Sequence, residues 1–307
     1  MPPLQGTWNP IEGPGDYTTT TIVHNDSYPE IDPTKADLSG KAVLVTGASR
    51  GLGRSMAVSY AKAGASYIAI GARSSVAEVE PELKAAASDA GKPEPHVLCL
   101  NLDISDEASV SEACQKIEAD FGKLDVVINN AGVIGDMVSV EQSRPDSWWQ
   151  TFNINVKGSY LVMRACLPLL LKGELRTVAT VASVGAFVVT PALSDYQTSK
   201  LAAVRVTEFF AKENADQGVI AFSIHPGNIL TDMIGKGEGM DKKLKAVFTE
   251  TPELCGDSLV YLTKQRREWI SGRYINVTWD MPELTSPEMR QKIVDGDLLK
   301  VQLTLPQ

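Results

Sequence analysis

Cysteine and histidine are scarce in this chain of 307 residues, with four of the first and three of the second, and neither kind is grouped. Cys99, Cys114, Cys166 and Cys255 show no CxxC spacing, and a chain of this length needs no disulfide staples. They are expected to be buried small apolar side chains in a reducing compartment. His24, His96 and His225 are too dispersed to assemble a metal cluster, so no metal is expected. Basic charge is short as well. Lys and Arg total 29 against 38 Asp and Glu, and a net charge of -9 leaves no electrostatic footprint for nucleic acid or for a membrane surface. No uninterrupted apolar run reaches the ~18 residues of a membrane span. The stretch Met1 to Asp37 lacks the basic start and apolar stretch of a secretory signal, and a cytoplasmic location is expected.

What remains, 43% hydrophobic and 22% charged residues, is the composition of an ordinary globule. Three segments are expected: an arm over 1–37, a body over 38–284 and a tail over 285–307. The arm carries Thr18 to Thr21 and the spaced Pro29 and Pro33 without helix or strand periodicity. It is either disordered or laid over a partner subunit or over its own body.

From Lys41 onward, β-branched runs alternate with amphipathic segments, the pattern of repeated βα units. Strands are expected at Ala42 to Val45, Tyr67 to Ile70, His96 to Leu100, Val126 to Ile128, Arg176 to Val181, Val219 to Ile224 and Arg273 to Val277. Several are nearly all apolar, as in a sheet covered by helices on both faces. The expected fold is therefore a single-domain α/β, Rossmann-like, doubly wound parallel sheet of about seven strands. Gly64, Gly91 and Gly122 follow periodic segments as helix stops, and Ser105 opens a capping pattern whose fourth residue is Ala.

Directly after the first strand comes Thr46-Gly47-Ala48-Ser49-Arg50-Gly51-Leu52-Gly53, followed by helix-forming residues. Backbone N–H groups at that helix start are available to a pyrophosphate, and the glycines permit close approach. Among nicotinamide cofactors, a carboxylate after the second strand selects the free ribose 2'-hydroxyl and an arginine accepts a 2'-phosphate. Here the second strand runs into Gly71-Ala72-Arg73. Arg73 and Arg50 are either a clamp for a 2'-phosphate, which favours NADP(H) over NAD(H), or solvated surface residues.

Further on, Ser194 to Lys200 opens an apolar-periodic helix on which Tyr196 and Lys200, four apart, share a face. A lysine ammonium beside the phenol is expected to lower its pKa from about 10 and make it a usable acid or base. Ser183 lies just past a strand, where open α/β sheets build their sites. Asn153 and Asn155 lie in an expected long central helix, and an amide there is retained for a specific hydrogen bond.

The glycine turn, Asn129-Asn130-Ala131-Gly132, Tyr196-x-x-x-Lys200 and Pro226-Gly227-x-x-x-Thr231, in that order, resemble the motifs of short-chain dehydrogenases/reductases. The likeness covers about Leu38 to Asn276. It implies Asn155, Ser183, Tyr196 and Lys200 as catalytic residues: Tyr196 exchanging the proton, Ser183 orienting the substrate oxygen and Asn155 anchoring a relay water. Lys200 would also bind the nicotinamide ribose. The resemblance further implies that Asp103 contacts the adenine, although the residue reads equally as a turn or cap. It implies that Asn130 supports the central strand, and that Pro226, Gly227, the backbone of Ile229 and Thr231 receive the carboxamide end of the cofactor.

The function implied is an NADP(H)-dependent oxidoreductase moving a hydride between nicotinamide and a small-molecule carbonyl or secondary alcohol. A non-redox elimination, isomerisation or cyclisation on the same fold is the alternative, and a non-catalytic NADP-binding sensor the remote one. Trp279-Asp280-Met281-Pro282 replaces the paired-glycine ending of many relatives and resembles a fungal subgroup. A homodimer or homotetramer is expected. Substrate choice is expected to be written in 133–140 and in the glycine-rich stretch 228–251, with Met137, Met233 and Met240 as adaptable apolar candidates. Ser194 and Ser199 are read as a cap and a helix-surface residue, Trp148-Trp149 as packing, and His225 as structural.

Overall fold

A computed structural model describes residues 5–237 and 240–303. The expected strands form as β1 Ala42–Thr46, β2 Tyr67–Ala72, β3 His96–Asn101, β4 Val126–Asn129, β5 Thr177–Val181, β6 Ile220–His225 and β7 Tyr274–Asn276. All pair in parallel in one sheet of order β3-β2-β1-β4-β5-β6-β7. β1, β4, β5 and β6 are buried at every position, which is why they read as continuous apolar runs. The helices are α1 Gly51–Lys62, α2 Val79–Asp89, α3 Glu107–Phe121, α4 Pro145–Phe152, α5 Ser159–Lys172, α6 Ser194–Glu213, α7 Lys242–Lys245, α8 Pro252–Thr263, α9 Met281–Leu284 and α10 Pro287–Asp295. One face of the sheet packs against α1, α2 and α8 through Met56, Tyr60, Leu83 and Leu259, the other against α3, α5 and α6 through Ile117, Leu161, Leu170 and Ala211.

Several local expectations need correction. Cys99 is exposed because β3 is the sheet edge, while Cys166 and Cys255 are buried and Cys114 is half-buried. Asp106, not Ser105, caps α3, accepting from the Ala108 N–H at 3.1 Å, and the Ser105 hydroxyl instead donates to Asp103 at 2.7 Å. Gly122 does end α3 with φ 74°, and Gly64 and Gly91 take the same left-handed turn. The expected long central helix is interrupted by a π-helical turn over Asn153–Gly158. Within the continuous helical stretch Pro145–Lys172, long and apolar enough to cross a membrane, an 18-residue window has a mean hydropathy of 1.2. That window is 56% buried within the fold, and α5 supplies one wall of the core.

Over its described residues, the arm is laid over its own body. Val23 bridges Trp279 in antiparallel fashion, the His24 N–H donates to the Thr278 carbonyl at 2.7 Å, and His24 Nε2 meets Asp280 Oδ2 at 2.9 Å. Ile31 and Ala36 are buried in the core that α1 and α8 share. The unusual Trp279 ending is thus the arm's landing site: its indole is buried and donates to the Gly15 carbonyl at 3.0 Å.

Candidate active site

The strand order reverses between β1 and β4, so connections leaving those two carboxyl ends diverge and open a crevice. A cleft of about 560 Å³ lies there. From the glycine turn it is lined by Gly47, Ser49, Arg50, Gly51, Leu52 and Gly53. Arg73, Asp103, Asn130 and Thr231 reach it from the ends of β2, β3, β4 and β6. Pro226, Gly227 and Ile229 belong to the loop that carries Thr231 but stand outside the lining.

The turn tolerates no side chain where it folds back. A Cβ on Gly53 would lie 2.3 Å from the Gly47 carbonyl oxygen, and one on Gly47 would lie 2.8 Å from the Ala131 Cα. That closeness lets Asn130 Nδ2 donate to the Thr46 carbonyl at 2.8 Å, while Thr46 Oγ1 accepts from the Asn130 and Ala131 N–H groups, both at 3.0 Å. The cradle of bare backbone, a helix start and two arginines fits the diphosphate of a dinucleotide. Arg50 is 74% exposed and lies 3.8 Å from Asp232 Oδ2, a loose pair in solvent. Asp103 accepts from the Ser105 N–H and hydroxyl at 2.9 and 2.7 Å. Burial pushes its carboxyl up, but those bonds and the Arg73 charge outweigh it and hold the group below its ordinary value.

The four expected catalytic side chains gather beside the inner end of this cleft. A Cβ on the cleft residue Gly132 would lie 3.2 Å from Asn155 Oδ1 and 3.3 Å from Lys200 Nζ. Lys200 is buried, donates to the Val181 carbonyl at the end of β5 at 2.8 Å, and stands 5.8 Å from the Tyr196 ring centre. Burial pushes its pKa down to about 8. A Cβ on Gly185 would lie 3.2 Å from Ser183 Oγ and 3.5 Å from Tyr196 Cε1, so that glycine seats both groups. Here one expectation is reversed. Burial pushes the Tyr196 phenol above its ordinary value, against a smaller opposing pull from the Ser183 hydroxyl, because desolvating a phenolate costs more than that hydrogen bond returns.

Asn155, not Asn153, is the buried amide. Its Oδ1 accepts from the Val133 N–H at 2.9 Å, and its Nδ2 donates to the Val133 carbonyl at 2.8 Å and to Ser199 Oγ at 3.0 Å. Ser199 is therefore no surface residue. It is fully buried and its hydroxyl donates to the Tyr196 carbonyl at 2.7 Å. Its place on the helical stripe of Tyr196, Lys200, Ala203 and Thr207 could have revealed this. Ser194 is not the cap either, since Leu193 occupies that position and Ser194 Oγ accepts from Trp148 Nε1 at 3.1 Å.

Three further residues escaped the sequence reading. Asp195, 4% exposed, accepts from Thr151 Oγ1 at 2.8 Å and from the Tyr196 N–H at 2.7 Å. Glu250 packs under Gly227, accepts from the Asn228 N–H at 2.8 Å, and is pushed up to about 7 by burial. Asp16 accepts from Asn276 Nδ2 at 2.9 Å and is pushed up to about 6, again by burial. No local motif marks a carboxyl whose role comes from distant partners. Trp148 stacks on Phe152 with ring centres 4.6 Å apart, while Trp149 is mostly exposed. Met137 and Met233 are exposed, Met233 at the cleft, and Met240 is half-buried; Glu238 and Gly239 of that loop lie outside the described residues. Among the described residues no group of His, Cys, Asp and Glu could hold a metal ion.

Comparison with known proteins agrees with this geometry. The family model described as short chain dehydrogenase matches residues 41–241. The chain is 51% identical over 302 residues to the short chain dehydrogenase pigC of Monascus ruber, covering 98% of this chain and 99% of that protein. It is 50% identical to the short chain dehydrogenase tazN of Aspergillus terreus, covering 94% of this chain but 63% of tazN. A solved 3-ketoacyl-(acyl-carrier-protein) reductase from Brucella melitensis, complexed with NADH, superposes with a TM-score of 0.67 at 28% identity, covering 78% of this chain and 98% of the other. The cradle, the tyrosine–lysine helix and these likenesses lead to one conclusion: the chain belongs to the short-chain dehydrogenase/reductase family, oxidoreductases that use a nicotinamide dinucleotide on a small-molecule substrate.

Proposed function

We propose that the chain is an NADP(H)-dependent oxidoreductase that interconverts a carbonyl and a secondary alcohol, with Tyr196 exchanging the proton. The observation that carries this reading is the convergence of Ser183 Oγ and the Tyr196 ring on Gly185, with the Lys200 ammonium buried behind them. A bound nicotinamide dinucleotide supplies the hydride. Ser183 orients the substrate oxygen, and Tyr196, kept a neutral phenol by burial, is primed to donate to an oxygen gaining negative charge. Lys200, near its pKa of about 8, retains its proton at neutral pH and stabilises that charge shift.

The preference for NADP(H) rests on Arg50 and Arg73, which line the outer end of the cleft where no carboxylate follows β2. Arg50's loose, exposed pair with Asp232 gives little resistance to a phosphate dianion, which two guanidinium groups hold by charge-assisted hydrogen bonds. Titration of intrinsic fluorescence with NADPH and with NADH tests this, with a lower dissociation constant for NADPH expected and the reverse order refuting the clamp. Pairing of two copies through α5 and α6 is also proposed, on the exposure of Tyr160 and Phe209; a monomer by light scattering would exclude it.

A further inference from the structure

We propose that the amino-terminal arm is a positioning element of the active site, in which Gly13 and His225 grip Val184 from two sides and thereby set the Ser183 turn. This rests on the reading of Ser183 as the residue that orients the substrate oxygen. The turn itself is short: after β5 ends at Val181, Ser183 Oγ accepts from the Gly185 N–H at 3.0 Å, and the Ala186 and Phe187 N–H groups donate to the Ser183 and Val184 carbonyls at 3.1 and 2.9 Å. Val184, between them, is buried.

From the sheet side, His225 at the end of β6 accepts the Val184 N–H on Nδ1 at 3.1 Å. Burial pushes the imidazole down to about 3, so the ring stays neutral and Nδ1 remains an acceptor across working pH. From the arm side, Gly13 approaches so closely that a Cβ there would lie 2.2 Å from Val184 Cγ2. Gly13 is not among the glycines of positive φ, so what position 13 requires is room.

The arm is anchored where this contact matters. The Gly13 N–H donates to Asp16 Oδ2 at 2.7 Å, and Asp16 Oδ1 accepts from Asn276 at the end of β7, the strand beside β6. The Gly15 carbonyl accepts from the buried Trp279 indole. Asp16 and His225 share a chamber of about 20 Å³, room for a single water, so the arm and the histidine form one packed unit behind the turn. A catalytic hydroxyl displaced by even a fraction of an ångström loses its alignment, and displacement by about 1 Å can cost on the order of 100-fold in rate.

The test is a double-variant cycle read by amide hydrogen exchange over residues 183–187 and by NADPH oxidation with phenanthrenequinone. Gly13→Ala is expected to speed exchange at Val184 and to lower kcat, each about tenfold, with the dissociation constant for NADPH unchanged. Glu12→Ala, exposed in the same arm, is expected to change neither. Val184→Ala removes the colliding methyl, so Gly13→Ala/Val184→Ala should return to within about twofold of Val184→Ala alone. Should Gly13→Ala alone fail to fold, Asn276→Ala, which unties Asp16 from β7, takes its place, with faster exchange at Val184 and a lower kcat expected and wild-type values of both overturning the proposal. Wild-type exchange and kcat in Gly13→Ala, or a double variant as damaged as Gly13→Ala, overturns the proposal. Exchange coupling does not depend on turnover, so absence of NADPH oxidation by the wild-type chain would count against the proposed function and leave this result readable.

Discussion

The two halves of the sheet finish their carboxyl ends in opposite ways. On the side of β1 to β4 the ends are open: backbone is left bare by glycines, a cleft of about 560 Å³ faces solvent, and Arg50 is 74% exposed. On the side of β5 to β7 the ends are closed by the arm, and the ionisable groups there, Lys200, His225, Asp16 and Glu250, are all shifted by burial. Under the proposed function, the contrast matches the chemistry each half would serve. A long anionic cofactor is held by many donors and must come and go, so an open, polar, well-hydrated cradle suffices. Proton transfer depends on which charge state is favoured, and desolvation is the strongest means of setting that.

Four experiments would break or sharpen this contrast. The largest effect is expected in the closed half. Tyr196→Phe removes the exchangeable proton, and turnover should fall roughly 100- to 10,000-fold while NADPH affinity, measured by fluorescence, is unchanged. Retained turnover would end the assignment of proton transfer to that residue. Next comes Gly53→Ala in the open half, where the added methyl meets the Gly47 carbonyl, a backbone atom that cannot swing aside. Overpacking of this kind costs about 1–3 kcal/mol. Calorimetry should show a lower Tm and titration a weaker NADPH complex; an unchanged Tm with unchanged affinity would mean that the turn is not rigid.

A smaller change is expected from Arg73→Ala. The NADPH dissociation constant should rise about 10- to 150-fold and that for NADH should stay put, since charge-assisted hydrogen bonds contribute about 1.5–3 kcal/mol. Equal effects on both cofactors would place Arg73 elsewhere than at the 2'-phosphate.

The smallest effect is a dependence on pH. Asp16 and Glu250 have folded pKa values raised to about 6 and about 7 from 3.8 and 4.5. Their contribution to stability is complete below the lower values and is lost as pH rises through about 6 and about 7. Two groups that share their chamber are moved away from that window by burial: His225 is pushed down to about 3 and Tyr17 is raised above its ordinary value. The Tm should therefore be higher at pH 5 than at pH 8, and Glu250→Gln should flatten the upper part of that slope. A slope unchanged in Glu250→Gln would show that burial there is relieved by water.

Legibility in the sequence followed the range of the interactions. Strand positions came through within two residues because both faces of the sheet are covered and the alternation of βα units is local. The glycine turn, Asn130 and the Tyr196–Lys200 pair were visible for the same reason: each works over one turn or one helical repeat. The direction of the Tyr196 shift was not, since a nearby ammonium can be read from spacing but desolvation cannot. Ser199 reads as a helix-surface residue and Asp195 carries no signal of its own, and only the packing of α4 and the π-helical turn against them makes them buried partners.

The order of residues, then, determined by itself the fold, the glycine cradle and the placing of Tyr196 and Lys200 together on one helix, because those depend on contacts between near neighbours and on a sheet whose burial is written in its strands. Only the tertiary structure decided where the arm lies, which carboxyls it buries and what it does to Val184. Those contacts join residues more than 160 positions apart, as Gly13 to Val184 and Asp16 to Asn276 do, and no local pattern carries the shape of a surface that far away.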